Sequence, residues 1–190
     1  MNDKMLDAIF GSAERIKVIR LFIFNPEKSF NIESVAAKTF MTKAKAAREI
    51  KNLLKIGLVV RKKGKKGGNI ILSESWQYKD ALRDFLLSTN PKADDIAKRL
   101  SKVGKIRFVA VAGIFTQSPD SRLDLLIVGD AIKKPAFAKA IELLQRDIGK
   151  EISFSVFDTA EFKYRLEMRD KLVMDVLDFP HEKVVNKLGV

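Results

Sequence analysis

Residues 31–73 read NIESVAAKTFMTKAKAAREIKNLLKIGLVVRKKGKKGGNIILS, and this stretch decides the architecture of the first half of the chain. Asn31 suits a helix N-cap, because its side-chain oxygen can accept an otherwise orphaned backbone N–H of the first turn. The helix it opens runs from Ile32 to about Thr39, and Phe40 and Met41 form the turn that follows. Thr42 caps a second helix reaching about Lys55, with Gly57 as the residue that stops it. Ala46, Ile50, Leu53 and Leu54 fall at i, i+4, i+7 and i+8 on that helix, which makes one apolar stripe for a core. Lys43, Lys45, Arg48 and Lys51 are left on its other faces. Two β-branched runs, Leu58-Val59-Val60 and Ile70-Ile71-Leu72, then bracket a glycine-containing loop, which predicts a β-hairpin.

Two short helices followed by a basic, glycine-rich hairpin resemble the winged helix-turn-helix. The hairpin carries Arg61, Lys62, Lys63, Lys65 and Lys66 and no acid. Like charges at a hairpin tip repel one another, so a stable fold has no use for them. A phosphate backbone does, because each Lys or Arg set beside a phosphate releases condensed counterion. The glycines let the tip adopt positive φ and approach a groove closely. A solvated basic turn is the plainer reading, and the basic helix just upstream favours contact with double-stranded DNA over it. On that reading Lys43, Lys45 and Arg48 enter the major groove and Thr42 and Lys51 meet phosphates. Arg61, Lys62, Lys63, Lys65 and Lys66 follow the backbone or the minor groove.

The whole chain bounds the alternatives. Its 190 residues suit one large or two small domains. It has no cysteine, hence no disulfide framework, thiolate chemistry or zinc finger, which fits a reducing cytoplasm. No apolar run approaches the ~18 residues needed to span a bilayer. Asp3, Asp7 and Glu14 interrupt the apolar residues at the start, unlike a signal peptide. Net charge is +12 and unevenly placed: residues 1–90 hold 18 Lys and Arg against 9 Asp and Glu, residues 91–190 hold 18 against 15. That asymmetry favours a nucleic-acid partner for the first half. A membrane surface is less well served, since no strongly basic amphipathic helix accompanies the charge. The expected location is cytoplasmic.

In chain order, residues 4–24 predict one long amphipathic helix, ended by Asn25-Pro26. Trp76 to Leu87 predicts another, whose apolar load either packs on its own domain or forms a dimer seam. Ser88-Thr89-Asn90-Pro91-Lys92 reads as the boundary, and Ala93 to Val103 as helix beyond it. After Gly104 the texture changes. Strands are expected at Arg107–Ala112, Arg122–Val128 and Glu151–Phe157, with a short one at Lys183–Leu188. Helices are expected at Pro135–Ile148, from Thr159 (as cap) to about Arg169, and at Asp170–Leu177. The fold class is α+β, with a small mixed sheet in the second half. The expected domains are 1–75, a connecting helix and linker over 76–92, and 93–190.

The segment Gly113-Ile114 through Leu123-Asp124-Leu125-Leu126-Ile127-Val128-Gly129-Asp130 resembles the signature of the minimal nucleotidyltransferase, or polymerase-beta-like, domain. That family pairs a Gly-Ser turn with Asp-x-Asp on the next strand. Residues i and i+2 of a strand share a face, so two carboxylates there can hold two Mg²⁺ ions that clamp a nucleoside triphosphate. Here Asp124 matches the second acid, Arg122 stands where the first belongs, and Ile114 stands where the serine belongs. The segment Glu151–Phe157, matching the family's later strand, carries serine or apolar residues at its centre where the third acid belongs. An Arg two residues from Asp124 on one strand face would neutralise that carboxylate and repel a divalent cation. Gly113, Arg122 and Asp124 therefore mark a degenerate site without catalytic residues, metal or cofactor.

The whole chain also resembles a family of archaeal and bacterial one-component regulators, on Glu49-Ile50…Leu53…Gly57-Leu58-Val59, Ser75 to Leu82, Asp120 to Asp130 and Glu151 to Leu166. The resemblance implies an N-terminal winged helix-turn-helix and a C-terminal nucleotidyltransferase-like pseudoenzyme domain. It implies sequence-specific binding of double-stranded DNA to regulate transcription. A homodimer is expected because duplex readers commonly present two symmetric heads. The second domain is then a platform or sensor, with a nucleotide as a possible ligand. The alternative is an active Mg-dependent nucleotidyltransferase that modifies an RNA or protein substrate.

Overall fold

The structure, a computed structural model, describes residues 2–62, 69–118 and 121–190, with side chains from Met5 onward. The fold is mixed α+β with two sheets. Contacts divide the chain into two compact units, Met1–Thr89 with Arg146–Lys150, and Asn90–Gln145 with Glu151–Val190.

The first unit opens with two helices where the apolar periodicity predicts one. Helix α1 spans Asn2–Phe10 and α2 spans Ala13–Ile23. Gly11 turns left-handed at φ +81°, and Ser12 accepts the Arg15 N–H at 3.1 Å to start the second helix. The Arg15 guanidinium donates to the Phe10 carbonyl at 2.8 Å, satisfying one of the orphaned acceptors at the end of α1. Helix α3, Ile32–Thr39, is capped as the sequence suggests, by reciprocal hydrogen bonds between Asn31 and Ser34. Helix α4, Lys43–Lys55, starts on Thr42, whose hydroxyl accepts the Lys45 N–H at 3.3 Å. Strands β1 (Val59–Arg61) and β2 (Ile70–Leu72) pair antiparallel, Val59 opposite Leu72 and Arg61 opposite Ile70. Phe30 bridges to Ile70 on the far side of β2. Helix α5 spans Lys79–Ser88, so Trp76 lies ahead of it and anchors separately, its indole N–H on the Ile56 carbonyl at 3.2 Å.

Phe22, Val35, Ala46, Ile50, Leu53, Leu58, Ile70 and Leu86 are buried in one cluster that joins the helices to the hairpin. Burying a side chain of this size is worth about 1.5–3 kcal/mol. Phe22 and Phe30 meet edge-on at 5.4 Å. The expected core face of α4 is buried at Ala46, Ile50 and Leu53, and partly at Leu54.

The second unit begins with α6, Ala93–Leu100, followed by β3, Lys105–Val111, and β4, Leu125–Asp130. Helix α7, Lys134–Ile148, carries the chain across to β5, Phe154–Phe157. Helices α8 (Thr159–Glu167) and α9 (Lys171–Leu177) lead to β6, Glu182–Asn186. The sheet order is β5-β4-β3-β6, with β4 and β5 parallel and the other neighbours antiparallel. The helical crossover is what permits the parallel pair. Strands β3 and β4 are central and buried on both faces, which explains their unbroken apolar runs. On one face Phe108 stacks on Phe162 at 5.5 Å, beside Val173 and Val176. Among the described residues, no helix is long and apolar enough to cross a membrane.

Candidate functional site

Helix α4 has two chemically distinct faces. Its inward face holds Ala46, Glu49, Ile50 and Leu53. Lys43, Lys45, Arg48, Lys51 and Lys55 are all exposed. Glu49 is the helix's one acid, and it is 1% exposed. Its carboxylate accepts from Arg15 Nε at 2.9 Å, Arg48 Nε at 3.3 Å and Asn52 Nδ2 at 3.4 Å. A buried carboxylate without such partners would cost several kcal/mol. Arg15 therefore fastens α2 to α4 and, through Phe10, to the end of α1.

Three of the predicted cations have carboxylate partners, Arg48 on Glu49 and two more that reach to other helices. Lys43 pairs with Glu33 of α3 at 3.0 Å, and Lys45 with Glu14 of α2 at 2.7 Å. The Lys45 hydrogen bond first, a hydrogen bond to the Glu14 backbone next and the Lys45 charge third hold the Glu14 carboxyl below its ordinary range. All four side chains are solvent-exposed to a degree that limits such a pair to about 0–1 kcal/mol. Lys51 has no ion-pair partner among the described residues. The Thr42 hydroxyl serves the α4 cap and, as a donor, remains able to meet an oxygen.

On the hairpin, Arg61 ends β1 and is exposed, and Lys62 is exposed with its N–H on the Asn69 carbonyl at 2.8 Å. Lys63, Lys65 and Lys66 lie outside the described residues. Thr42, Lys43, Lys45, Arg48 and Lys51 thus share one helix, and Arg61 and Lys62 share the hairpin that follows it. Sequence reading missed the acids. Glu49 was within reach, since 46, 49, 50 and 53 form one helical stripe. The Glu14–Lys45 pair, 31 residues apart, leaves no local trace.

The Gly113–Asp124 region is built differently from the expectation. Strand β4 begins at Leu125, so Arg122 and Asp124 precede it and do not share a strand face. Arg122 turns to Asp175 of α9 at 2.9 Å and does not neutralise Asp124. Asp124 instead receives two backbone donors: Ile114 N–H on Oδ1 at 2.8 Å and Ser153 N–H on Oδ2 at 2.9 Å. One carboxylate therefore ties the turn after β3, the entry to β4 and the entry to β5. Gly113 sits at φ +52°, and a Cβ there would collide with Asp124 Oδ1. The glycine is required by the carboxylate it faces. Asp120 lies outside the described residues; among the rest, no group of three His, Cys, Asp or Glu stands close enough to hold a metal ion.

At the other end of β4, Asp130 accepts the Thr159 N–H at 3.1 Å and its hydroxyl at 2.8 Å, with Arg107 Nε at 3.6 Å. The Thr159 N–H, then its hydroxyl, then Arg107 hold this carboxyl below its ordinary range. No family model, curated protein or solved structure matches the chain.

Proposed function

We propose that the chain is a sequence-specific double-stranded DNA-binding transcriptional regulator. In this reading residues 31–73 form a winged helix-turn-helix, with α4 as the recognition helix and the β1–β2 hairpin as the wing. One observation carries it: the outward face of α4 presents Lys43, Lys45, Arg48, Lys51 and Lys55 and no acid, because Glu49 is turned into the core. A helix with a cationic outer face and a fixed inner face fits the major groove and the phosphates on either side. The proposed form is a homodimer. Exposed Met5 and Ile9 on α1 and Phe85 on α5 supply apolar surface for its seam.

The C-terminal unit is proposed as a nucleotidyltransferase-like domain that serves as platform or sensor and not as an enzyme. Both Asp124 oxygens already bind backbone N–H groups, which supports a structural role for that acid. Transfer of label from a nucleoside triphosphate with Mg²⁺, abolished by Asp124→Asn, would overturn this part.

The DNA reading is tested by duplex binding across a salt series. About five to eight phosphate contacts give a log–log slope of roughly −4 to −7. Lys51→Ala should weaken all sequences alike and reduce the slope by about 1, whereas Arg48→Ala should change the preference between sequences. A flat salt response rejects the proposal.

A further inference from the structure

A second basic feature lies in the C-terminal unit, apart from the Gly113–Asp124 region. The last turns of α6, the start of β3 and the end of β6 enclose an open recess of about 540 Å³. Its floor is Ala97, Ile106 and Val185. Its rim is cationic: Lys98, Lys105, Arg107 and Lys187. No Asp or Glu among the described residues lines it. Lys98, Lys105 and Lys187 are exposed and have no ion-pair partner among the described residues. Arg107 is also engaged by Asp130. The backbone brings the cations of adjacent strands together, since the Lys187 N–H binds the Arg107 carbonyl at 2.8 Å.

The C-terminal carbonyls of α6 would ordinarily repel an anion here. They are taken up. The Ala97 carbonyl accepts the Ser101 N–H at 2.8 Å, Lys98 the Ser101 hydroxyl at 2.9 Å, and Leu100 the Val103 N–H at 3.1 Å. The recess sits at the start of β3, whereas Gly113 and Asp124 lie past its far end. A seven-residue strand puts them about 20 Å apart.

We propose that this recess binds a nucleotide, with the flat base on the Ala97–Ile106–Val185 floor and the phosphates among Lys98, Lys105 and Lys187. The size falls within the range of roughly 300–1,000 Å³ usual for small-ligand sites. An apolar floor under a rim of unpaired cations suits a ligand with one flat apolar face and several negative charges. Inorganic phosphate would leave the floor bare, and a duplex backbone would span the rim without entering. The proposal is independent of the DNA reading of α4, because it rests on other residues.

Isothermal titration of the full chain with ATP, AMP, adenosine and inorganic phosphate, in EDTA, tests it. ATP should bind tighter than AMP, and AMP tighter than adenosine or phosphate alone. The double variant Lys98→Glu, Lys187→Glu should weaken ATP about tenfold or more, because two attractive charges become repulsive. Its melting temperature should be unchanged, since both side chains are exposed. Ser101→Trp, which fills the recess without altering charge, should weaken ATP and AMP together. Lys51→Ala should leave both unchanged. No binding of any nucleotide, or equal ATP affinity in parent and double variant, overturns the proposal. So does phosphate binding as tightly as AMP. Loss of duplex affinity in the double variant, with no nucleotide bound by the parent, would replace it with a nucleic-acid contact.

Discussion

Replacing Asp124 by Ala separates a scaffolding acid from a vestigial metal ligand. The change deletes two hydrogen bonds to a charged acceptor, from Ile114 N–H at 2.8 Å and Ser153 N–H at 2.9 Å. Bonds of this kind are worth about 1.5–3 kcal/mol each. Asp124 is only half-buried and Ser153 is exposed, so water can replace part of what is lost. The low end applies, and the expected loss is about 2–3 kcal/mol. In a unit of this size 1 kcal/mol moves Tm by roughly 4–8 °C, so the transition of the C-terminal unit should fall by about 10–20 °C. Asp124→Asn keeps an acceptor for one donor but sets its amide against the other, and should lose about half as much, near 1–1.5 kcal/mol. Calorimetry resolves this, with the transition of the N-terminal unit as internal control. An acid kept only for a metal would behave oppositely, since removing it relieves repulsion in an empty site. If Asp124→Ala is as stable as the parent, the three-segment tie is wrong. Gly113→Ala, which drives a methyl into the same carboxylate, should reproduce the loss.

Arg15→Met should destabilise the N-terminal unit by about 2–3 kcal/mol in urea unfolding, because Glu49 keeps only its two longer partners. Adding Glu49→Leu should recover most of that loss, since an apolar pair replaces a broken ionic one. Asp130 has a folded-state carboxyl held below its ordinary range, so its contribution is present above the unfolded-state value and fades as pH falls through the carboxylate range. Asp130→Asn should therefore lower Tm at neutral pH and flatten the acid side of a Tm-against-pH profile. Glu14→Gln should cost under about 1 kcal/mol of stability and, by releasing Lys45, tighten duplex binding by at most about fivefold. An unchanged affinity in an anisotropy titration would take Lys45 out of the proposed interface.

Caps made α3 and α4 legible, because Asn31 and Thr42 act through their own side chains on the next turn and need no tertiary partner. The break at Gly11-Ser12 was hidden by apolar spacing that runs on across it. Ser12 closes the second helix locally, but the stabilising contact at the end of α1 comes from Arg15, which also answers to Glu49. The sequence pattern starts β4 at Arg122 because apolar Leu123 continues the run, whereas in the fold Leu123 is a buried loop residue. That three-residue difference is what sets Arg122 on one strand face with Asp124 in the sequence pattern. The true partner, Asp175, is 53 positions away on a helix whose placement depends on the folded sheet. The basic recess was illegible for the same reason: Lys98, Lys105 and Lys187 meet only once β3 pairs with β6 and α6 packs against both strands.

The carboxylates that hold Lys43 and Lys45 give α4 a built-in threshold. Glu33 and Glu14 are tethered competitors, present at a high local concentration that no dilution lowers. Any polyanion that docks on this helix must outbid them at both positions at once. A flexible, loosely charged chain gains little from that exchange. A rigid one, with its phosphates already at the right spacing, gains more, so a weak internal clasp becomes a filter for geometry.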